Sequence, residues 1–249
     1  NWKAGTSFSN DASSTSVGSI DSAGSVSTDA GFSIIGFTGD AQTGTTVAHG
    51  LGVKPNMIIV KNREPDVANW QVYHSSLGAT KYLGLNENNA SVTSNTRWNN
   101  TEPTTSVFTL GSSGDVVGDS SGETFIAYCF AEKQGYSKFG SFSGNGNADG
   151  AFIYTGFKPA WVMMKASSAT GNWGMFDNKR IGYNVKNYNF RADQNNAEGT
   201  DDAIDILSSG FKIRSTSGGF GGGDGTTYIY MAFAENPFTT STGVPATAR

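Results

Sequence analysis

Only one cysteine, Cys129, occurs in the 249 residues, so no disulfide can form within the chain. It sits inside an apolar run, where a buried thiol that fills space is expected rather than a nucleophile. Proline is scarce at 6 residues, and charged side chains make up only 15% of the chain. The 17 Lys and Arg are scattered and the net charge is −4, so the basic patch of a nucleic-acid binder is missing. No stretch of about twenty apolar residues occurs, which excludes a helical membrane span. No run beyond about ten residues sustains a helical period. The chain opens at Asn1, without Met or a signal sequence, so a fragment or processed product is expected.

Glycine, at 33 residues, and aromatic side chains, at 12%, are what the chain has in quantity. So many aromatics with so little charge exclude a disordered chain. Short apolar runs punctuated by Gly, Asn and Ser predict an all-β fold of the sandwich or barrel kind.

Two copies of one stretch organise the sequence. Residues 122–132 read Gly-Glu-Thr-Phe-Ile-Ala-Tyr-Cys-Phe-Ala-Glu, and residues 225–235 read Gly-Thr-Thr-Tyr-Ile-Tyr-Met-Ala-Phe-Ala-Glu. Each predicts a strand with two apolar faces, Ile126, Tyr128 and Phe130 opposite Phe125, Ala127, Cys129 and Ala131. A strand apolar on both faces is expected to be central and covered on both sides. Other anchors repeat at a steady offset: 105 from Phe37 to Phe142, 104 from Pro55 to Pro159, and 103 from Trp70 to Trp173 and from Phe108 to Phe211. This regularity predicts two tandem duplicated β-sandwich-like units, residues 31–135 and 136–238. Residues 1–30 are Ser/Gly-rich and read as an extended N-terminal arm or the end of a preceding repeat, with room for a few short strand pairings around Val17, Ile20 and Val26. Trp2-Lys3-Ala4 echoes the end of a closing strand, so a further repeat upstream is expected. Residues 239–249 read as an extended tail.

Several motifs carry a more specific signal. They are Gly50-Leu51-Gly52-Val53-Lys54-Pro55, Asn99-Asn100-Thr101, Tyr128-Cys129-Phe130-Ala131-Glu132, Tyr136-Ser137-Lys138-Phe139-Gly140 and Ala232-Phe233-Ala234-Glu235-Asn236-Pro237-Phe238. From residue 31 to the end, the chain resembles a C-terminal repeat domain of uncharacterised function found in tail-fibre-like and other virion proteins of bacteriophages, especially marine ones. The resemblance implies a viral structural protein located on the virion, with other virion proteins as partners. By analogy with fibres it also implies a homotrimer. It carries over no catalytic or binding residue.

Catalytic constellations are sparse. His49, His74 and Cys129 would make a zinc site only if Cys129 left its core face, and the second unit has Tyr154 and Asp177 near the places of the two histidines. Gly118-Asp119-Ser120-Ser121-Gly122 has nucleophile-elbow spacing, but a strand follows it where a helix is required. Asp201, Asp202 and Asp205, or Glu64 and Asp66, offer paired carboxylates for glycoside hydrolysis, yet the first group reads as an exposed turn and the second as a loop. The Asp/Asn/Gly-rich loops lack EF-hand spacing. The Gly218–Gly223 run lacks the Lys-Ser/Thr of a phosphate loop and reads as a flexible hairpin tip, where Phe220 could touch a partner. No catalytic residue, metal or cofactor is expected.

Aromatic residues give the best binding hint. Trp70 and Trp173 match between units and read as structural. Trp98 lies in a polar stretch without a Trp counterpart, so Trp98, Asn99 and Asn100, with Tyr73 or His74, are the expected glycan-binding residues. The expected function is a non-enzymatic tail-fibre or spike segment that presents a surface to a host glycan or receptor. A capsid-decorating or tail-assembly module is the alternative, and a polysaccharide depolymerase the second.

Overall fold

A computed structural model describes residues 5–64, 68–180 and 184–236, and it is nearly all β. The chain divides into two compact units. The first comprises Asn1–Gly84 and Val92–Ala131; the second comprises Leu85–Ser91 and Glu132–Arg249.

The first unit holds β1 (Thr6–Asn10), β2 (Ser22–Ser27), β3 (Phe32–Thr38), β4 (Thr46–Ala48), β5 (Met57–Asn62), β6 (Gln71–His74), β7 (Lys81–Gly84), β8 (Val92–Thr93), β9 (Val107–Thr109) and β10 (Thr124–Phe130). Two one-turn helices, α1 (Ala12–Thr15) and α2 (Gly114–Val117), join them. Eight strands form one sheet in the order β1-β2-β3-β10-β5-β6-β7-β8, and β4 pairs with β9 in a separate ribbon. The inner face of the sheet supplies Ile35, Phe37, Ile58, Val60, Ala127 and Cys129 to a core completed by Val47 and Phe108 of the ribbon, Val116 and Val117 of α2, and Trp98. The result is a sandwich-like unit.

The second unit holds β11 (Ser137–Ser143), β12 (Phe152–Tyr154), β13 (Pro159–Ala166), β14 (Gly174–Asp177), β15 (Lys186–Arg191), β16 (Gly199–Leu207), β17 (Gly210–Ile213) and β18 (Thr227–Ala234). Its single sheet runs β11-β18-β13-β14-β15-β16-β17-β12. The sheet curls until Val162, Met164, Tyr230 and Ala232 at one side pack in one core with Ile153, Ile204, Ile206 and Phe211 from the other. Strand order matches between the units over five positions, β3-β10-β5-β6-β7 and β11-β18-β13-β14-β15. Four of the five pairs, β3/β11, β10/β18, β5/β13 and β6/β14, carry segments that the sequence offsets align; the Phe108/Phe211 offset instead links β9 to β17.

The closing strands are central, as their two apolar faces predict. β10 lies between β3 and β5, and β18 between β11 and β13. Coverage differs. β18 is buried on both faces from Tyr228 to Ala232, whereas Ile126 and Tyr128 of β10 are half-buried, with Trp70 stacked on Tyr128 at 6.4 Å. Cys129 is a fully buried free thiol, and burial pushes its pKa up to about 12.

The N-terminal tract is not a free arm. β1 and β2 extend the first sheet in antiparallel register, Ser9↔Ala23↔Gly36, and Phe8 and Ile20 pack on the core. Composition suggested a linker because strand pairing needs only main-chain groups, which small side chains leave unobstructed. Gly24 shows the closeness of that pairing: a Cβ there would lie 1.9 Å from the Ile34 carbonyl oxygen. The expected boundaries shift accordingly, since the first unit begins before residue 31 and closes at Ala131, and residues 85–91 group with the second unit. The buried Lys165 fixes that loop, donating to the carbonyls of Asn89 at 2.8 Å and Asn88 at 3.3 Å. The Trp2 echo and the tail 239–249 lie outside the described residues.

The Gly218–Gly223 run is also tighter than expected. Phe220 is buried against Phe176 at 6.0 Å, and a Cβ on Gly222 would meet the Ser215 carbonyl oxygen at 1.9 Å. These glycines allow close approach rather than flexibility.

His49 is fully buried beside the β4–β9 ribbon. Its Nδ1 accepts from the Leu51 N–H at 3.2 Å, which leaves Nε2–H to donate to the Thr104 carbonyl at 3.3 Å. Burial lowers its pKa to about 4. The unfolded chain therefore binds a proton that the folded chain refuses between about pH 6.5 and 4. The neutral ring's contribution is complete above pH 6.5 and is lost as pH falls toward 4, by on the order of 3 kcal/mol. Urea unfolding across this range should show a stability slope that is much shallower in His49→Gln. An equal slope in the variant would contradict this account.

Candidate ligand-binding groove

The expected aromatic site is not a surface. Trp98 is 2% exposed, its ring edge-to-face with the buried Tyr73 at 6.0 Å. The Tyr73 hydroxyl donates to Glu102 Oε2 at 2.6 Å, and burial pushes its pKa up. Glu102 also accepts from the Ala79 N–H at 2.7 Å and from Lys54 Nζ at 2.7 Å. Burial opposes its ionisation, but these hydrogen bonds outweigh that and hold the carboxyl below the usual range. His74 is buried on β6 and accepts from the Ser76 N–H through Nδ1. Asn99 and Asn100 form a turn with φ of 48° and 51°, a left-handed geometry that Asn tolerates. Tyr73 and Trp98 do meet, but as core: the Tyr73 ring is buried readily because its hydroxyl reaches Glu102, and Trp98 packs edge-to-face against it. No sugar can stack on them.

The other chemical candidates disperse. Among the described residues, no three His, Cys, Asp or Glu side chains converge on a metal-sized space. Ser120 donates to Glu123 Oε1 in an exposed loop. Asp201 pairs with Arg191 and Asp205 with Arg214, both on β16 rather than in a turn. Glu64 accepts from Thr124 Oγ1 at 2.7 Å, and Asp66 lies outside the described residues.

A concavity lies elsewhere, on the outer face and rim of the first sheet. It is an open groove of about 770 Å³. Strand register builds it. Along β3, Ile35 and Phe37 point into the core, so Gly36 and Thr38 point out. Gly36 sits between Ala23 of β2 and Ile126 of β10, and its missing side chain makes the hollow floor. A Cβ on Gly36 would meet nothing closer than 3.6 Å. The next row outward is polar: Asp21 precedes β2, Thr38 pairs with Thr124, and Arg63 follows β5 with its N–H on the Thr124 carbonyl at 2.8 Å. Asp21 and Arg63 thus stand three strand spacings apart, about 14 Å. Ser9, Asn10 and Asp11 close the side formed by β1.

The carboxylates here are arranged to accept. Asp11 caps α1, taking hydrogen bonds from Ser13 Oγ and the Ser14 N–H, and these hold its pKa below the usual value. Asp21 Oδ1 accepts from the Ala12 N–H at 2.9 Å. Asp11 is therefore fixed as an anion near neutrality and does not supply the raised-pKa acid that glycoside hydrolysis needs. The row can hydrogen-bond a hydroxyl-rich ligand along its length, with Asp21 at one end and Arg63 at the other, where Thr124 Oγ1 already donates to Glu64. Sequence reading missed this groove because its residues come from five separated segments of ordinary composition. Gly36 at an outward strand position was the one available signal.

The reassignment of Trp98 is testable by stability. Trp98→Ala should cost about 3–5 kcal/mol in equilibrium unfolding, as core aromatic truncations do. Asn100→Gly, which keeps the left-handed turn, should stay within about 0.5 kcal/mol. Native-like stability of Trp98→Ala would place that ring outside the core.

Comparison with known proteins adds a family without a function. No curated protein and no solved structure matches the chain. Residues 1–237 match the model of a family described as a domain of unknown function, DUF7483. Because that match takes in both β units, the chain belongs to the DUF7483 family.

Proposed function

We propose that this chain is a non-enzymatic component of a phage virion, a tail-fibre or spike segment, and that the first unit's groove contacts a host-surface oligosaccharide. The virion assignment rests on the sequence resemblance. The groove carries the binding reading: a glycine-and-alanine floor beside a row of Asp21, Thr38, Thr124 and Arg63. Hydroxyls and carboxylates satisfy sugar hydroxyls in both directions, and Arg63 offers a planar fork of donors. The length of the row favours a short oligosaccharide over a monosaccharide. A uniformly anionic polymer is disfavoured, since Asp11, Asp21 and the Glu64 carboxylate on Thr124 would repel it. Low overall charge and loops held by rigid sheets suit a presentation role.

An assembly role is the second reading, favoured by the β12 edge of the second unit, beyond which no strand lies among the described residues. A panel of host-surface oligosaccharides separates the two. Binding should weaken at least tenfold in Gly36→Val, which fills the floor with a residue suited to a strand, and in Arg63→Ala, while both variants keep the wild-type unfolding midpoint. No binding across the panel, or binding indifferent to both substitutions, would overturn the groove assignment.

A further inference from the structure

β4 and β12 hold matching positions in the two units. Each is a three-residue strand paired with the counterpart strand, Val47↔Phe108 and Ile153↔Phe211. In an antiparallel pair, residues alternate between turning their main-chain groups toward the partner and away from it. In the first unit, Leu110 N–H donates to the Thr45 carbonyl at 2.8 Å and His49 N–H to the Ser106 carbonyl at 3.1 Å. Residues 45, 47 and 49 therefore face β9, and Thr46 and Ala48 face outward. In the second unit, Ile213 N–H donates to the Ala151 carbonyl at 2.9 Å and Thr155 N–H to the Ser209 carbonyl at 3.0 Å. By the same alternation, Phe152 and Tyr154 face outward.

The outward groups of β4 are satisfied within the chain. Ser19 and Ile20 N–H donate to the Thr46 carbonyl at 2.9 and 3.4 Å. Thr46 N–H donates to Ser19 Oγ at 2.8 Å, and Ser22 Oγ donates to the Ala48 carbonyl at 3.0 Å. Ile20 lies beside Val47 in a parallel bridge. Among the described residues, the equivalent edge in the second unit has no such cover. β12 ends its sheet, and among the described residues no strand lies beyond it. Phe152 is 48% and Tyr154 67% exposed. The cause lies in the chain: residues 5–31 lead into β3, whereas only six residues separate β10 from β11.

We infer that β12 is a strand-acceptor edge, which takes an extended segment of a partner polypeptide with the chemistry of Ser19–Ser22. The segment runs parallel to β12. A hydroxyl residue meets Phe152, a β-branched apolar residue lies beside Ile153, and a second hydroxyl residue meets Tyr154. Main-chain hydrogen bonds supply attraction, and the two aromatic side chains, on one face, supply selectivity. The charges beside them are already paired: Asp149 with Lys212 and Arg214, and Arg214 with Asp205. The incoming segment therefore needs no charge. Natural sheets seldom leave an aromatic edge open without a partner for it.

The probe is a synthetic peptide of residues 15–27, Thr-Ser-Val-Gly-Ser-Ile-Asp-Ser-Ala-Gly-Ser-Val-Ser, added to the full chain. Residue-resolved hydrogen exchange reads the result. Saturating peptide should slow exchange of the Phe152 and Tyr154 amides at least tenfold, and a peptide N-methylated at the Ile20 position should not. Tyr154→Pro, which removes an outward N–H and no ladder bond, should abolish the protection. If that variant fails to fold, the N-methylated peptide alone decides. Absence of protection would overturn the proposal, as would protection confined to residues 46–48. Protection without peptide that disappears on dilution would show β12 pairing with a second copy, and would also overturn it.

Discussion

The antiparallel register of β2, β3, β10 and β5 is the constraint on which the rest of the first unit depends. Ala127 stands opposite Ile35 on one side and Val60 on the other, so all three enter the core together. The same register lines up Ala23, Gly36 and Ile126 on the outer face, and Asp21, Thr38, Thr124 and Arg63 beyond them. A slip of one residue would turn Phe125 and Cys129 to solvent and break the polar row in the same step. Stability and surface chemistry are thus set by one arrangement of hydrogen bonds. Binding residues on β-strands inherit that precision without a dedicated supporting shell.

The two units answer the same main-chain demand differently. In both, a short strand leaves outward N–H and C=O groups that need a partner. The first unit meets the demand with Ser19, Ile20 and Ser22, and keeps His49 buried beside the ribbon. The second spends its residues on closing the sheet through β15, β16 and β17, and leaves β12 at the margin. A reading that treats the units as equivalent misses this asymmetry, on which the proposed acceptor edge of the second unit rests.

Much of the architecture was legible in sequence. The closing strands, the strands at Phe32, Met57, Gln71 and Val107, and their counterparts were visible because buried strands are apolar runs bounded by glycine. The N-terminal strands were not, because Ser22–Ser27 pairs through its backbone and buries little beyond Val26. Trp98 misled for a related reason. Its polar neighbours Asn99 and Asn100 form the turn that lowers the ring into the core, and Glu102, which anchors Tyr73, gave no local sign of that role. The groove was invisible because strand pairing, not proximity in sequence, brings its residues together. Phe220 shows the opposite error: glycine read as flexibility was glycine required by packing.

The central claim is that strand register creates the ligand site. Backbone amide chemical-shift mapping during titration with a host-surface oligosaccharide tests it most directly. The account predicts a contiguous stripe of shifts at residues 21–23, 36–38, 63 and 124–126, segments distant in sequence and aligned across four strands. Shifts centred on the Trp98–Asn100 turn, or scattered without alignment across those strands, would contradict it.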